Sequence, residues 1–252
     1  MSIPVSAPPR VRDLIRSAPD GPVPVVHVGP HAVYVALGGR CVGLLGRDAT
    51  RVPCGLRSRI RSFASWPCRS AYVASGMLRV DHIPLTVGRA VAVQVPPLGH
   101  GAIPRRTASP ATGAATPQAV VAGLVPRVTA ATVGQLVGRG GGLTPLGDDV
   151  LCGWIAAHRA AGVPTPEVDS AVRAGLQRTT LLSATLLDCA LHGEVLPELG
   201  GFLRAVGTAT EPDRADDLRA VGGTSGAGLL LGAQLALDDL VRAPAGSQVG
   251  AA

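Results

Sequence analysis

A chain of 252 residues suits one large domain or two small ones, and 46% apolar residues supply a real core. With only 2% aromatics that core must be built from Ala, Val and Leu. The 23 basic residues are all arginine against 17 acidic ones, a net charge of +6. An Arg-only, Ala- and Gly-heavy composition looks like coding bias, and no Arg run is interleaved with aromatics. The reading therefore excludes a nucleic-acid partner. The longest apolar run, near Gly228 to Leu237, is too short and too Gly-rich to span a bilayer, so a membrane partner is excluded as well.

In chain order, residues 1–24 are rich in Pro and Arg, with one short helix expected over Val11 to Ser17 before the Pro19-Asp20-Gly21 turn. From Val25 to Leu45 the chain turns β-branched, and Gly38-Gly39 between Ala32–Leu37 and Arg40–Leu45 signals a hairpin. His27 and His31 lie beside this turn without zinc spacing, which favours structural roles. Residues 51–70 are irregular and carry Arg51, Arg57, Arg59, Arg61 and Arg69, a solvated face or a surface for an acidic partner. Strand character returns from Ala71 to Val95, where Val91, Val93 and Val95 alternate with Ala92 and Gln94. Residues 1–95 thus read as a mostly β domain. Residues 96–118 have the Pro, Gly, Ser and Thr content of a flexible linker.

The rest reads as helical over 119–242, with a disordered tail at 243–252, so the fold class expected is α+β. A first helix is expected from about Pro117 to Val137. The stretch Gly138 to Gly153 follows, GRGGGLTPLGDDVLCG, a glycine loop feeding a buried helix. Thr144 is expected as its N-cap, Pro145 as its first residue, and Gly162 as its C-terminal stop. Asp148 and Asp149 then stand near the positive end of the helix dipole. They are either dipole-compensating acids or part of a ligand or metal site. Thr165-Pro166-Glu167 opens another helix. Thr179, Thr180 and Ser183 interrupt the apolar run of Arg178 to Leu191, and their hydroxyls either bond back to the helix or line a site. Short helices follow at Glu198 to Val206 and Pro212 to Ala220. A second glycine loop, Val221 to Gly232, offers Thr224 or Ser225 as N-cap for a last helix ending near Arg242. Neither loop is a P-loop or a dinucleotide fingerprint. Both are helix mouths whose free N–H groups could converge on one anion.

The five cysteines, Cys41, Cys54, Cys68, Cys152 and Cys189, are odd in number, scattered and without a CxxC. With no signal peptide at the start, they read as reduced thiols of a cytoplasmic protein.

Gly142-Leu143-Thr144-Pro145-x-Gly147-Asp148-Asp149-x-Leu151-x-Gly153 resembles the GLTPxGDDxLxG signature of a bacterial family long labelled as of unknown function. Its best-understood member is a subunit of the oxamate carbamoyltransferase of anaerobic allantoin breakdown. Thr179 to Ser183 with Cys189 to Gly193 resembles that family's central Thr–Ser helix, and Val221 to Gly226 its TSG loop. The likeness covers about residues 138–232 well and the β half in outline. The chain departs from the pattern at Leu146, where Ser is usual, and at Gly223 and Gly228, where His and Asp are usual.

The resemblance implies a carbamoyl-transfer complex with other subunits as partners. That complex phosphorolyses oxalurate to oxamate and carbamoyl phosphate. It implies Asp148 and Asp149 as catalytic residues, and Gly142, Thr144, Gly147, Thr180, Ser183, Thr224, Ser225 and Gly226 as contacts for a small anionic substrate or phosphate. Mg²⁺ is the metal that the two carboxylates would admit, as part of a shell; no other cofactor is expected. The alternative is a non-catalytic binding or assembly subunit that keeps the fold without the chemistry. The expected site gathers Thr144, Asp148, Asp149, Ser183, Thr224 and Ser225, because buried polar groups are satisfied more easily together than apart.

Overall fold

A computed structural model describes residues 2–98 and 127–242. The first half contains β1 (Ile3–Ala7), α1 (Pro9–Ser17), β2 (Gly21–Val23), β3 (Val25–Val28), β4 (Ala32–Leu37), β5 (Arg40–Leu45), β6 (Gly55–Arg57), β7 (Ala71–Ala74), β8 (Met77–Val80) and β9 (Ile83–Ala90). The strands make one sheet in the order β2-β7-β8-β9-β1-β6-β5-β4-β3. Its outer strands β2 and β3 are consecutive in the chain, and the Ala36 N–H donates to the Pro24 carbonyl between them at 2.8 Å. The sheet therefore curls into a near-barrel, which leaves little open edge. Val11 and Ile15 of α1 pack into its Val/Leu core. The hairpin of β4 and β5 closes at Gly38 and Gly39, with φ of 56° and 72°. Those positive angles are what a two-residue hairpin turn demands.

The second half contains α2 (Ala130–Leu136), α3 (Leu146–Ala160), α4 (Pro166–Gly175) with a 3-10 turn (Leu176–Arg178), α5 (Leu181–Leu191), α6 (Pro197–Ala205), α7 (Glu211–Arg219) and α8 (Ser225–Arg242). The chain is thus α+β, a β-rich half followed by a helical half. Every residue of α3 except Arg159 is buried. A helix that is apolar nearly all round has to be the centre of its bundle.

The α3–α8 contact depends on the absence of side chains. A Cβ on Gly153 would sit 2.0 Å from the Leu229 carbonyl oxygen, and one on Gly232 1.9 Å from that of Val150. The two helices meet backbone to backbone at these reciprocal points.

Several expectations are corrected. The strand expected to run to Val95 ends at Ala90. Beyond it the chain leaves the sheet for the helical half, where Gln94 makes a single bridge to Glu194. There the Val95 N–H donates to Gly193 at 2.7 Å, and the Val195 N–H to Val93 at 2.8 Å. The alternation of valines was a true burial signal, since Val93 is buried, but its partner is a helix connection. The helix expected from Pro117 begins at Ala130 within the described residues, because Thr129 and Thr132 form a capping box there. Residues 117–126, most of the linker and the tail lie outside the described residues. Pro145 replaces Thr144 as the N-cap of α3, with an extended ψ of 139°. Thr144 is left free to bond elsewhere. Gly162 stops α3 as expected, with φ of 69°.

The two halves are packed on each other. Tyr34, Cys41, Leu45, Val52 and Cys54 share a cluster with Leu182 and Cys189. Thr185 accepts from the Cys41 N–H at 2.7 Å. Arg10 bridges Asp188 at 2.8 Å and Glu194 at 2.7 Å, and Arg40 also reaches Asp188. All five cysteines are free and buried. No helix among the described residues is long and apolar enough to cross a membrane.

Replacing Gly153 with Ala should lower the urea midpoint by the equivalent of about 1–3 kcal/mol or more, because a backbone carbonyl cannot swing aside. Gly141→Ala, where a Cβ meets nothing within 4 Å, should leave the midpoint nearly unchanged. Equal effects in the two variants would contradict the backbone-contact account.

Candidate functional site

The glycine loop of 138–143 is shaped by contacts that admit no Cβ. Gly138 has φ of 72° and would collide with the Arg178 carbonyl at 2.4 Å, and Gly147 would collide with that of Leu136 at 2.1 Å. These two close approaches hold the start of α3 against α2 and the segment before α5. The second loop is fixed the same way, since Gly226 would meet the Leu218 carbonyl at 1.9 Å.

The two loops meet. Thr144 Oγ1 lies 2.7 Å from Ser225 Oγ. A cavity of about 200 Å³ opens beside this pair, and Asp149 and Glu194 also face it. Its remaining wall is mainly apolar, from Val52, Pro53, Leu143, Leu182, Leu186, Leu196 and Leu229. It lies between the halves, because Tyr34, Thr50 and Val52 come from the β half.

The adjacent carboxylates have opposite environments. Asp148 is fully buried, and three donors surround it. The Gly138 N–H donates to Oδ1 at 2.8 Å, and the Thr179 and Ser183 hydroxyls donate to Oδ2 at 2.5 and 2.7 Å. It ties the glycine loop to the start of α5 and does not line the cavity. Asp149 is 4% exposed, and its Oδ2 has no hydrogen-bond partner. Burial pushes its carboxyl up to about 8; a Ser225 hydrogen bond works against this, and neighbouring Asp148 adds to it. At neutral pH the group is therefore held toward its neutral form, which can both donate and accept.

The site residues expected from sequence thus separate. Thr144, Asp149 and Ser225 share the cavity wall. Ser183 stands behind it on Asp148. Thr180 caps α5, accepting from the Ser183 N–H and donating to the Leu143 carbonyl. Gly147 and Gly226 serve close packing, and Gly142 provides a φ of 87° in the loop. Thr224 is exposed, and its carbonyl accepts from the Gly228 N–H. Several helix-mouth N–H groups are engaged by carbonyls: Gly147 donates to Arg139, Asp148 and Asp149 to Pro145, and Gly226 to Val221.

Both oxygens of Asp148 already face donors, so the pair does not present the oxygen shell that Mg²⁺ takes. No group of three His, Cys, Asp or Glu among the described residues is arranged to hold a metal. Sequence reasoning missed Glu194 and Tyr34 on the wall. Glu194 carried a faint signal, an acid directly after the Gly193 stop in an apolar stretch. Tyr34 carried none.

A family model described as oxamate carbamoyltransferase subunit AllH matches residues 136–237. The helical half, from the end of α2 to late in α8, is therefore similar to that family, as the GLTPxGDD signature indicated. No curated protein and no solved structure matches the chain.

Asp148→Asn should cost about 2–5 kcal/mol, since an amide NH₂ would face donors in a buried site. Asp149 gives the opposite signature. Its folded value lies above the ordinary 3.8, so its contribution is fully present below about pH 4 and is lost as pH rises through about 8. Urea titrations across that window should show stability falling with pH in the parent and a flatter profile in Asp149→Asn. A parent whose stability rises over pH 4 to 8, with Asp149→Asn unchanged, would contradict the assignment.

Proposed function

We propose that the chain is a subunit of a carbamoyltransferase complex of the oxamate type, and that its cavity receives the carbamoyl end of the substrate. The likeness of residues 136–237 to the oxamate carbamoyltransferase subunit supports the class of complex. One observation carries the role of the cavity: the buried carboxyl of Asp149 has an oxygen without a partner at an apolar wall. A carbamoyl group is a neutral amide with NH₂ donors beside a carbonyl acceptor. A carboxyl near its titration point matches it at two points, donating O–H to the carbonyl and accepting one N–H. Thr144 and Ser225 offer hydroxyls beside it. In the phosphorolysis that the resemblance implies, a phosphate oxygen bonds to the carbamoyl carbon, the bond from that carbon to the oxamate nitrogen breaks, and the hydrogen phosphate's proton passes to the departing nitrogen to give the oxamate NH₂. Asp149 would hold the amide and polarise its carbonyl. Asp148 is a positioning residue that fixes the loop from which Thr144 and Asp149 project.

The second reading is a binding or assembly subunit without chemistry. The wall itself favours it in one respect, because no cationic side chain among the described residues lines the cavity to receive the substrate's carboxylate or a phosphate. Other subunits would then supply those groups.

Ligand-observed NMR with oxalurate and oxamate tests the cavity's role. Saturable binding of oxalurate is expected, weakened at least ~10-fold in Asp149→Ala while the urea midpoint changes little. Equal binding by parent and variant, or none by the parent, would remove the carbamoyl reading.

A further inference from the structure

A second concavity lies outside the matched residues, on the β half. It is an open cleft of about 570 Å³ across four neighbouring strands, β5, β6, β1 and β9. Arg47, Arg51, Arg57, Arg59 and Arg89 line it, with Ser6 and Ser58. Among the described residues, no carboxylate forms an ion pair with any of the five arginines. Arg47, Arg51, Arg59 and Arg89 are exposed, as solvated arginines commonly are.

Arg57 is different. It is half-buried on β6, and its Nε and Nη2 are shut off from solvent without a hydrogen-bond partner. Leaving charged donors unsatisfied is costly, so this geometry needs an acceptor. Burial, together with Arg51 and Arg89, pushes the guanidinium down from its ordinary range, and Glu198 of α6 opposes that from a distance. Glu198 does not bond to it, and its own Oε2 is also buried without a partner. Five arginines and, among the described residues, no carboxylate line the cleft, which leaves it strongly positive.

We propose that this cleft binds a small, multiply charged phosphoryl-bearing anion, with Arg57 as its anchor and Arg51 and Arg89 closing on the other oxygens. Guanidinium groups match phosphate oxygens in paired N–H···O contacts, and a bound anion offsets the mutual repulsion among the arginines. The cleft has the volume of a small-molecule site. Among the described residues no aromatic side chain lines it to stack bases, which argues for a compact oxyanion over a nucleic-acid strand. The same segment serves both concavities: Arg47, Arg51 and Arg57 face the cleft, while Thr50, Val52 and Pro53 face the carbamoyl cavity. The proposal does not depend on the carbamoyl reading.

Calorimetric titration of the full chain with inorganic phosphate, pyrophosphate and tripolyphosphate at fixed ionic strength tests it. Saturable binding is expected, tightening with charge, weakened at least ~10-fold in Arg57→Gln and partly restored in Arg57→Lys. Arg89→Gln, at an exposed position, should weaken binding without affecting the fold. Asp149→Asn should bind these anions like the parent, which separates this site from the cavity. Binding equal in parent, Arg57→Gln and Arg89→Gln would overturn the proposal. So would tight binding of a single-stranded DNA oligomer with no binding of pyrophosphate.

Discussion

The site depends on the contact between α3 and α8. Gly153 and Gly232 bring two helix backbones together where any side chain would strike a carbonyl oxygen. Gly228 extends the contact, since a Cβ there would lie 2.8 Å from both Asp149 Cβ and Leu146 Cδ1. One consequence is burial: α3 is enclosed at the centre of the bundle. The other is convergence, because helices meeting this closely bring their N-terminal loops together. Thr144 and Ser225, remote in sequence, end within hydrogen-bond distance.

That convergence places two neighbouring carboxylates in an interior where ordinary acids would be destabilising. The fold treats them differently. Asp148 receives three donors from the glycine loop and the start of α5, and so becomes a brace. Asp149 receives too little to offset its burial and faces the cavity with an oxygen unmatched. A stability liability retained beside a cavity, next to a braced twin, supports the proposal that Asp149 binds a ligand. Charge is segregated likewise. The carboxylates Asp149 and Glu194 face an apolar cavity, whereas the arginines gather in a separate cleft of the β half.

Much of this was legible in the sequence because local rules carried it. The Gly38-Gly39 hairpin, the Thr165-Pro166 helix start, the Gly162 stop and the division into β and helical halves follow from turn and cap chemistry that tertiary context did not override. The meeting of Thr144 with Ser225 was also anticipated, from the economy of satisfying buried polar groups together. Other features depended on distant partners. Val91 to Val95 has strand periodicity, but Val93 to Val95 pair with a helix connection, and periodicity cannot name a partner. The glycines of both loops suggested open N–H groups for an anion; Gly138, Gly147 and Gly226 also let backbones touch, a packing role that the glycine pattern alone could not separate from a binding one. The roles of Asp148 and Asp149 differ although the residues are adjacent, because one helical step of about 100° turns one toward the α5 start and the other toward the cavity. The arginine cleft assembles residues from β1, β5, β6 and β9 and from the β5–β6 connection, and only the Arg-rich segment of 51–70 hinted at it.

The central claim is that the helix contact holds Asp149 as a buried, unmatched carboxyl at the cavity wall. Titrating its side-chain carboxyl carbon by ¹³C NMR in the ligand-free protein, with Asp149→Asn to assign the signal, tests this directly. The account requires a midpoint near 8. A midpoint near 4 would mean that the carboxylate is solvated or fully partnered, and would contradict the account.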